Sequence, residues 1–185
     1  MPAFPFPPSF RPRRTGLPGF GGGRKLTPKR AVFLFLTLLT AAFGYVFCQG
    51  KVVRVHDGDT VTVLSGGEML KVRLYGVDAP ESAQKGGADS RRFAAHLASF
   101  QEVKLEVRDK DRYGRSVAIV RLPDGRTLNE ELVRAGHAWV YPAYCNTARC
   151  AYWQTLEAKA KDDRNGLWRD KNPVPPWQWR RYHTR

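Results

Sequence analysis

From Lys51 onward, apolar and polar positions alternate with the two-residue period of strands. Val53 and Val55, then Val61 and Val63, then Val72 and Leu74 each share a face, and turn residues interrupt them at Asp57-Gly58-Asp59 and Ser65-Gly66-Gly67. The pattern predicts three antiparallel strands in a meander over residues 51–77. Between Ala88 and Phe100 the spacing becomes helical, with Phe93, Leu97 and Phe100 on one side and few breakers. Two more strands are expected at Val103–Val107 and Val117–Leu122, separated by the charged turn Asp109–Arg115. Pro123-Asp124-Gly125 then reverses the chain. Helices are expected over Leu128–Ala135 and Ala148–Arg164, the second ending at Asn165-Gly166 as helix C-termini do.

Five strands with interspersed helices give the fold class: α+β, mainly β, a five-stranded OB-type Greek-key barrel with about three helices. Two segments are expected to precede it. Residues 1–30 are rich in Pro, Gly and Arg, show no hydrophobic periodicity, and read as a disordered basic segment. Residues 31–48, AVFLFLTLLTAAFGYVFC, carry no charge and follow Arg24, Lys25, Lys29 and Arg30. A buried helix of a soluble domain should show a polar face, and this run offers only Thr37 and Thr40. It is expected to be one hydrophobic helix, a transmembrane anchor or a signal sequence. At about 1.5 Å rise per residue it just spans a hydrocarbon core of roughly 30 Å. Ala42 and Gly44 supply the small residues that cleavage needs, and the long polar stretch before the run favours retention. With the basic residues kept inside, the chain from about Lys51 lies on the extracytoplasmic side, periplasmic or extracellular. Cys48 follows bulky Phe47, which argues against lipid attachment. The organisation is therefore 1–30, 31–48, a barrel domain over 51–169, and a tail over 170–185.

Charge sharpens the picture. The 185 residues hold 31 Lys and Arg against 17 Asp and Glu, a formal charge of +14. Seven of the basic residues and none of the acids precede residue 51, so 24 basic and 17 acidic residues remain for the rest. With 42% hydrophobic residues the chain is neither disordered throughout nor a polytopic membrane protein. A cationic domain favours a polyanionic partner through steering and counterion release. Cys145 and Cys150, in YCNTARC, have only His137 nearby as a further soft ligand. In an oxidising compartment a disulfide closing this loop is favoured over a zinc site. The tail combines Pro173, Pro175 and Pro176 with Trp177, Trp179, Arg180 and Arg181. It is expected to be stiffened by proline, its tryptophans packed on the barrel exterior. Aromatic and Arg residues stacking on bases is the other reading.

The candidate chemistry lies in two acidic turns. Asp57-Gly58-Asp59-Thr60 ends the first predicted strand and Asp78-Ala79-Pro80-Glu81 the third. A DGD turn by itself is ordinary, because Asp and Gly suit turn geometry. If the two turns converge, Asp59, Asp78 and Glu81 crowd carboxylates whose repulsion calls for a hard divalent cation, calcium or magnesium. Arg73 alternates with Val72 and Leu74 and so leaves the core on the other face, and Arg115 comes from a separate turn. Two guanidinium forks facing a carboxylate-bound cation make a site for a phosphodiester. The plainer reading of the same residues is a surface salt-bridge network. His56, next to the first turn, is read as an ordinary solvated residue.

The ordered motifs VHDGDTVTV, VRLYGVDAPE, DRYGR and NEELVRAGHAWV resemble the thermonuclease, or staphylococcal-nuclease-like, family over about residues 51–169. The resemblance implies an OB-type barrel and a calcium-dependent phosphodiesterase that cleaves DNA and RNA on the 5′ oxygen side. It implies that Asp59, Asp78 and the backbone carbonyl of Ala79 bind one calcium ion. Glu81 is the implied water-activating carboxylate, and Arg73 with Arg115 the pair gripping the scissile phosphate. Arg112 and Tyr113 are the implied contacts to a neighbouring phosphate or sugar, and Asp57 a supporting acid near the metal. With few protein ligands, weak metal binding without substrate is expected. Ala79 stands where the family often has Thr, the segment Ser82–Ser90 is short, and the Cys145–Cys150 loop and the tail have no counterpart with a known role. The enzyme is expected to act as a monomer with DNA and RNA as substrate, tethered through residues 31–48 if these are uncleaved. The alternative is a non-catalytic OB-fold nucleic-acid-binding module at the cell envelope.

Overall fold

The computed structural model describes residues 46–145 and 147–183. The expected disordered segment and nearly all of the hydrophobic run lie outside them. Val46–Cys48, the end of that run, are the first residues of a strand. Among the described residues no helix is long and apolar enough to cross a membrane.

Five strands close a barrel in the order β1 (Val46–Val55), β2 (Thr60–Ser65), β3 (Glu68–Leu74), β6 (Ser116–Arg121) and β5 (Glu102–Lys110). Neighbours are antiparallel except β3 and β6, which run parallel and pair Val72 with Ser116 and Arg73 with Val117. This is the expected five-stranded OB-type barrel, with one parallel seam. A second ladder of two residues a side, β4 (Val77–Asp78) against β7 (Trp139–Val140), sits beyond the end of β3.

The inward positions of the pleat fill the core: Val61 and Val63 from β2, Val72 and Leu74 from β3, Val103 and Leu105 from β5. On β1 the expected face is corrected. The core residues are Val52 and Val55, and Val53 is only half-buried. The register against β2 shifts between Val52 and Arg54, and the extra residue turns the strand's phase by one position.

Helix α1 (Gly87–Ala98) fills the connection from the third strand region to β5. Helix α2 (Leu128–Arg134) starts at Thr127, whose hydroxyl accepts the Glu130 N–H, as a cap should. Its fully buried Asn129 accepts the Val120 N–H (3.0 Å) and donates to the Tyr75 carbonyl (2.9 Å), stitching the helix to the barrel. Helix α3 (Ala148–Asp162) buries Trp153 and Leu156. Among the described residues the expected three helices become four, because the tail forms α4 (Pro176–His183).

The Cys145–Cys150 disulfide is formed, with Cα atoms 5.5 Å apart. Its Cys145 sulfur lies against Gly76, in the turn between β3 and β4. Gly76 has φ +70°, and a Cβ there would come within 2.6 Å of the sulfur.

Candidate active site

The two acidic turns meet. Asp59 closes the turn between β1 and β2, where its N–H donates to Asp57 Oδ1 (3.0 Å) and its carbonyl accepts the Leu74 N–H (2.8 Å). Asp78 is the second residue of β4 and pairs with Trp139. The Ala79 N–H donates to Asp59 Oδ2 (2.6 Å) and so fastens one turn to the other. Gly58 permits the approach through its size and not through its backbone angle. A Cβ there would lie 2.6 Å from the Ala79 Cβ and 2.8 Å from the Ser90 Cβ.

Asp59 and Asp78 are almost wholly buried, at 1% and 0% exposure, and buried carboxylates need partners. Arg73, projecting from β3 on the face away from Val72 and Leu74, supplies them. One of its terminal nitrogens pairs with Asp59 Oδ1 and the other with Asp78 Oδ1 (2.5 Å). A single guanidinium thus spans both acids. Glu81, less buried, stands next to them at the start of the loop leading to α1. Its N–H donates to the Gln84 Oε1 (3.2 Å), and its carbonyl accepts the Gln84 N–H (2.8 Å).

The sequence did not disclose Arg180. From α4 it donates through Nη2 to Asp78 Oδ2 (2.8 Å) and through Nη1 to Glu81 Oε1 (2.7 Å) and Asp78 Oδ1 (3.2 Å). Burial alone would pull its pKa down. The bonds to Asp78 and Glu81 win and hold the guanidinium above the usual arginine range. Arg180 lies 102 positions from Asp78, and no local pattern links the two. Among the described residues, no three or more His, Cys, Asp and Glu side chains are grouped as a metal cage, and these acids are neutralised by Arg73 and Arg180.

The remaining expected residues gather on the turn between β5 and β6. Asp111 accepts the backbone N–H groups of Tyr113 (3.0 Å) and Arg115 (2.9 Å), and Arg115 Nε (2.6 Å). Burial opposes ionisation, yet these bonds hold the Asp111 carboxyl below its usual range. Arg115 is thereby anchored through Nε, two residues before Val117, the β6 neighbour of Arg73. Its terminal nitrogens are the end that a phosphate fork uses. Arg112 donates to the Tyr113 hydroxyl (2.8 Å) and lies over that ring, both exposed at the tip of the turn. His56 Nε2 is within 2.8 Å of the Thr62 hydroxyl and none of its hydrogen bonds reaches the acids.

A pair of buried carboxylates, an adjacent third acid, Arg73 on β3 and Arg115 on the turn before β6 offer the hard oxygens and guanidinium forks that divalent cations and anionic esters use. The family model of staphylococcal nuclease homologues matches residues 71–170, which include Arg73, Asp78, Glu81 and Arg115 and follow Asp57 and Asp59. An uncharacterized endonuclease of Escherichia coli O157:H7 is 42% identical over 132 residues, 71% of this chain and 84% of that protein. A micrococcal nuclease of Shigella flexneri is 37% identical over 164 residues, 84% of this chain and 94% of the relative. An uncharacterized endonuclease of Haemophilus influenzae is 41% identical over 133 residues, covering 71% and 72%. The matched sequence, the closed barrel and the joined acidic turns agree: the chain belongs to the staphylococcal nuclease homologue family.

Proposed function

We propose that this nuclease is calcium-dependent, cleaves both DNA and RNA, and works outside the cytoplasm. Membership of the family makes it a phosphodiester hydrolase. The observation that carries the metal-assisted reading is the sharing of Arg73 between two buried aspartates beside Glu81. Asp59, Asp78 and the Ala79 carbonyl would hold one calcium ion, with water and phosphate oxygens completing the six to eight donors it takes. When bound, calcium neutralises phosphoryl oxygens and makes a coordinated water more acidic.

The other steps belong to the chain itself. Arg73 and Arg115 grip the non-bridging oxygens of the scissile phosphate and stabilise the charge that grows there. Glu81 takes a proton from the attacking water as the bond from phosphorus to the 5′ oxygen breaks. Asp57 fixes Asp59 through its N–H, and Arg112 with Tyr113 engages the next phosphate or sugar.

Export or tethering is supported by the charge-free run at residues 31–48 behind four basic residues, and by the disulfide, which suits an oxidising compartment. The protein is taken to act as a monomer.

The test is cleavage of single-stranded DNA and of RNA by the whole protein with calcium, with chelator, and with Glu81→Gln. Chelator should abolish cleavage, and the variant should lose at least about 100-fold in turnover. Undiminished cleavage in chelator removes the metal from the reading, and binding without cleavage makes the chain a non-catalytic module.

A further inference from the structure

The C-terminal helix is tied to the body of the protein before it reaches the acids. The Gln84 side-chain amide donates to the Val174 carbonyl (2.6 Å), Pro176 is buried, and Trp177 stacks on Tyr141 with centroids 5.1 Å apart and planes at 17°. Tyr141 immediately follows β7, the partner strand of Asp78. One turn after Trp177, Arg180 arrives over Asp78 and Glu81. Beyond it the helix faces solvent, and Tyr182 is 79% exposed. The side chain of Arg180 is itself one-third exposed, so it is reachable and displaceable.

Arg180 contacts both Asp78 oxygens and one Glu81 oxygen. A divalent cation on Asp78 needs a lone pair of those same oxygens and would face the guanidinium at close range, like charge against like. A water activated by Glu81 needs the oxygen that Arg180 Nη1 holds. The arrangement is thus stable without a cation and opposed to one.

We propose that Arg180 is a built-in competitor of the divalent cation: with α4 docked, its guanidinium holds Asp78 and Glu81 in a closed state, and metal loading requires it to let go. This inference rests on Asp78 being a metal ligand and Glu81 the base. Because coupling is reciprocal, a cation that Arg180 opposes must in turn loosen α4.

The experiment is calorimetric titration of the whole protein with calcium alone, without nucleic acid, for wild type, Arg180→Ala, Arg180→Gln and Asp78→Asn, each checked for folding by circular dichroism. Both Arg180 variants should bind calcium about tenfold more tightly than wild type. In the wild type, calcium should also speed trypsin cleavage at Arg180 and Arg181. Affinity unchanged or weakened in the Arg180 variants overturns the proposal, and weakening would mean that Arg180 positions the carboxylates for the ion. Asp78→Asn should abolish binding in every case. Calcium binding that survives Asp78→Asn defeats the site assignment itself, whatever Arg180 does, so the two failures are distinguishable.

Discussion

Arg73 is one side chain with two duties, and they demand different chemistry. It neutralises Asp59 and Asp78 in a place water scarcely reaches, and under the proposed function it also meets the phosphate. Both duties use the planar fork, since two nitrogens must address two oxygens on separate groups. Lysine keeps the charge but offers a single point, so Arg73→Lys should lower the turnover number on single-stranded DNA by about 100-fold. Steady-state kinetics at saturating calcium measures this, and a wild-type rate would take Arg73 out of the reaction. The short links around it were readable from the chain: both acidic turns end strands of a single meander, so they emerge at the same end of the barrel. Gly58 was readable as a turn residue only. Its need for space appears once Ala79 and Ser90 are seen against it.

At the scale of elements, the barrel strands and the first three helices follow from period, because each has one face inside and one outside. What escaped were features without a period. The bulge at Val53 inserts a residue and moves the core face from Val53 to Val52. The ladder of β4 and β7 is two residues a side and has no room for a pattern. Helix α4 hid behind its prolines. Yet Pro176 is its first residue, where the missing N–H costs nothing and the fixed φ suits a helix. With α4 unseen, Arg180 could not be placed. The disulfide was legible, but its position against the turn before Asp78 was not. It closes a loop with a sequence separation of only 5, and its removal should cost about 2 kcal/mol. The Cys145→Ser, Cys150→Ser double variant, or reduction of the wild type, should lower the urea midpoint by that free energy divided by the m-value. No shift would show that the loop holds without its bond.

For the whole molecule, stability should fall in mild acid. His137 follows α2, its ring 4.5 Å from that of Phe93 on α1 and partly buried. Burial lowers its pKa, with the charge of Arg169 acting in the same direction and Asp89 against it. A depressed histidine pKa means that the unfolded chain takes up the proton first. Its share of stability is complete above the unfolded value near 6.5 and is lost as pH falls through the folded one. The melting temperature should therefore be lower at about pH 5 than at about pH 7.5. His137→Phe, which keeps a ring against Phe93 and cannot titrate, should lose less on acidification. The difference between the two proteins isolates the histidine, since a carboxylate such as Glu157, whose pKa burial moves upward, acts in the opposite direction on acidification. Identical losses in both would exclude His137 as the cause.

The parallel seam between β3 and β6 joins stretches that the chain makes far apart in time: Arg73 on one, and on the other the strand that Arg115 introduces. Until that seam zips, Arg73 and the turn that carries Arg115 are not held side by side. A chain in which β3 and β6 have not yet paired has therefore not assembled its proposed site, however complete the meander of its first three strands.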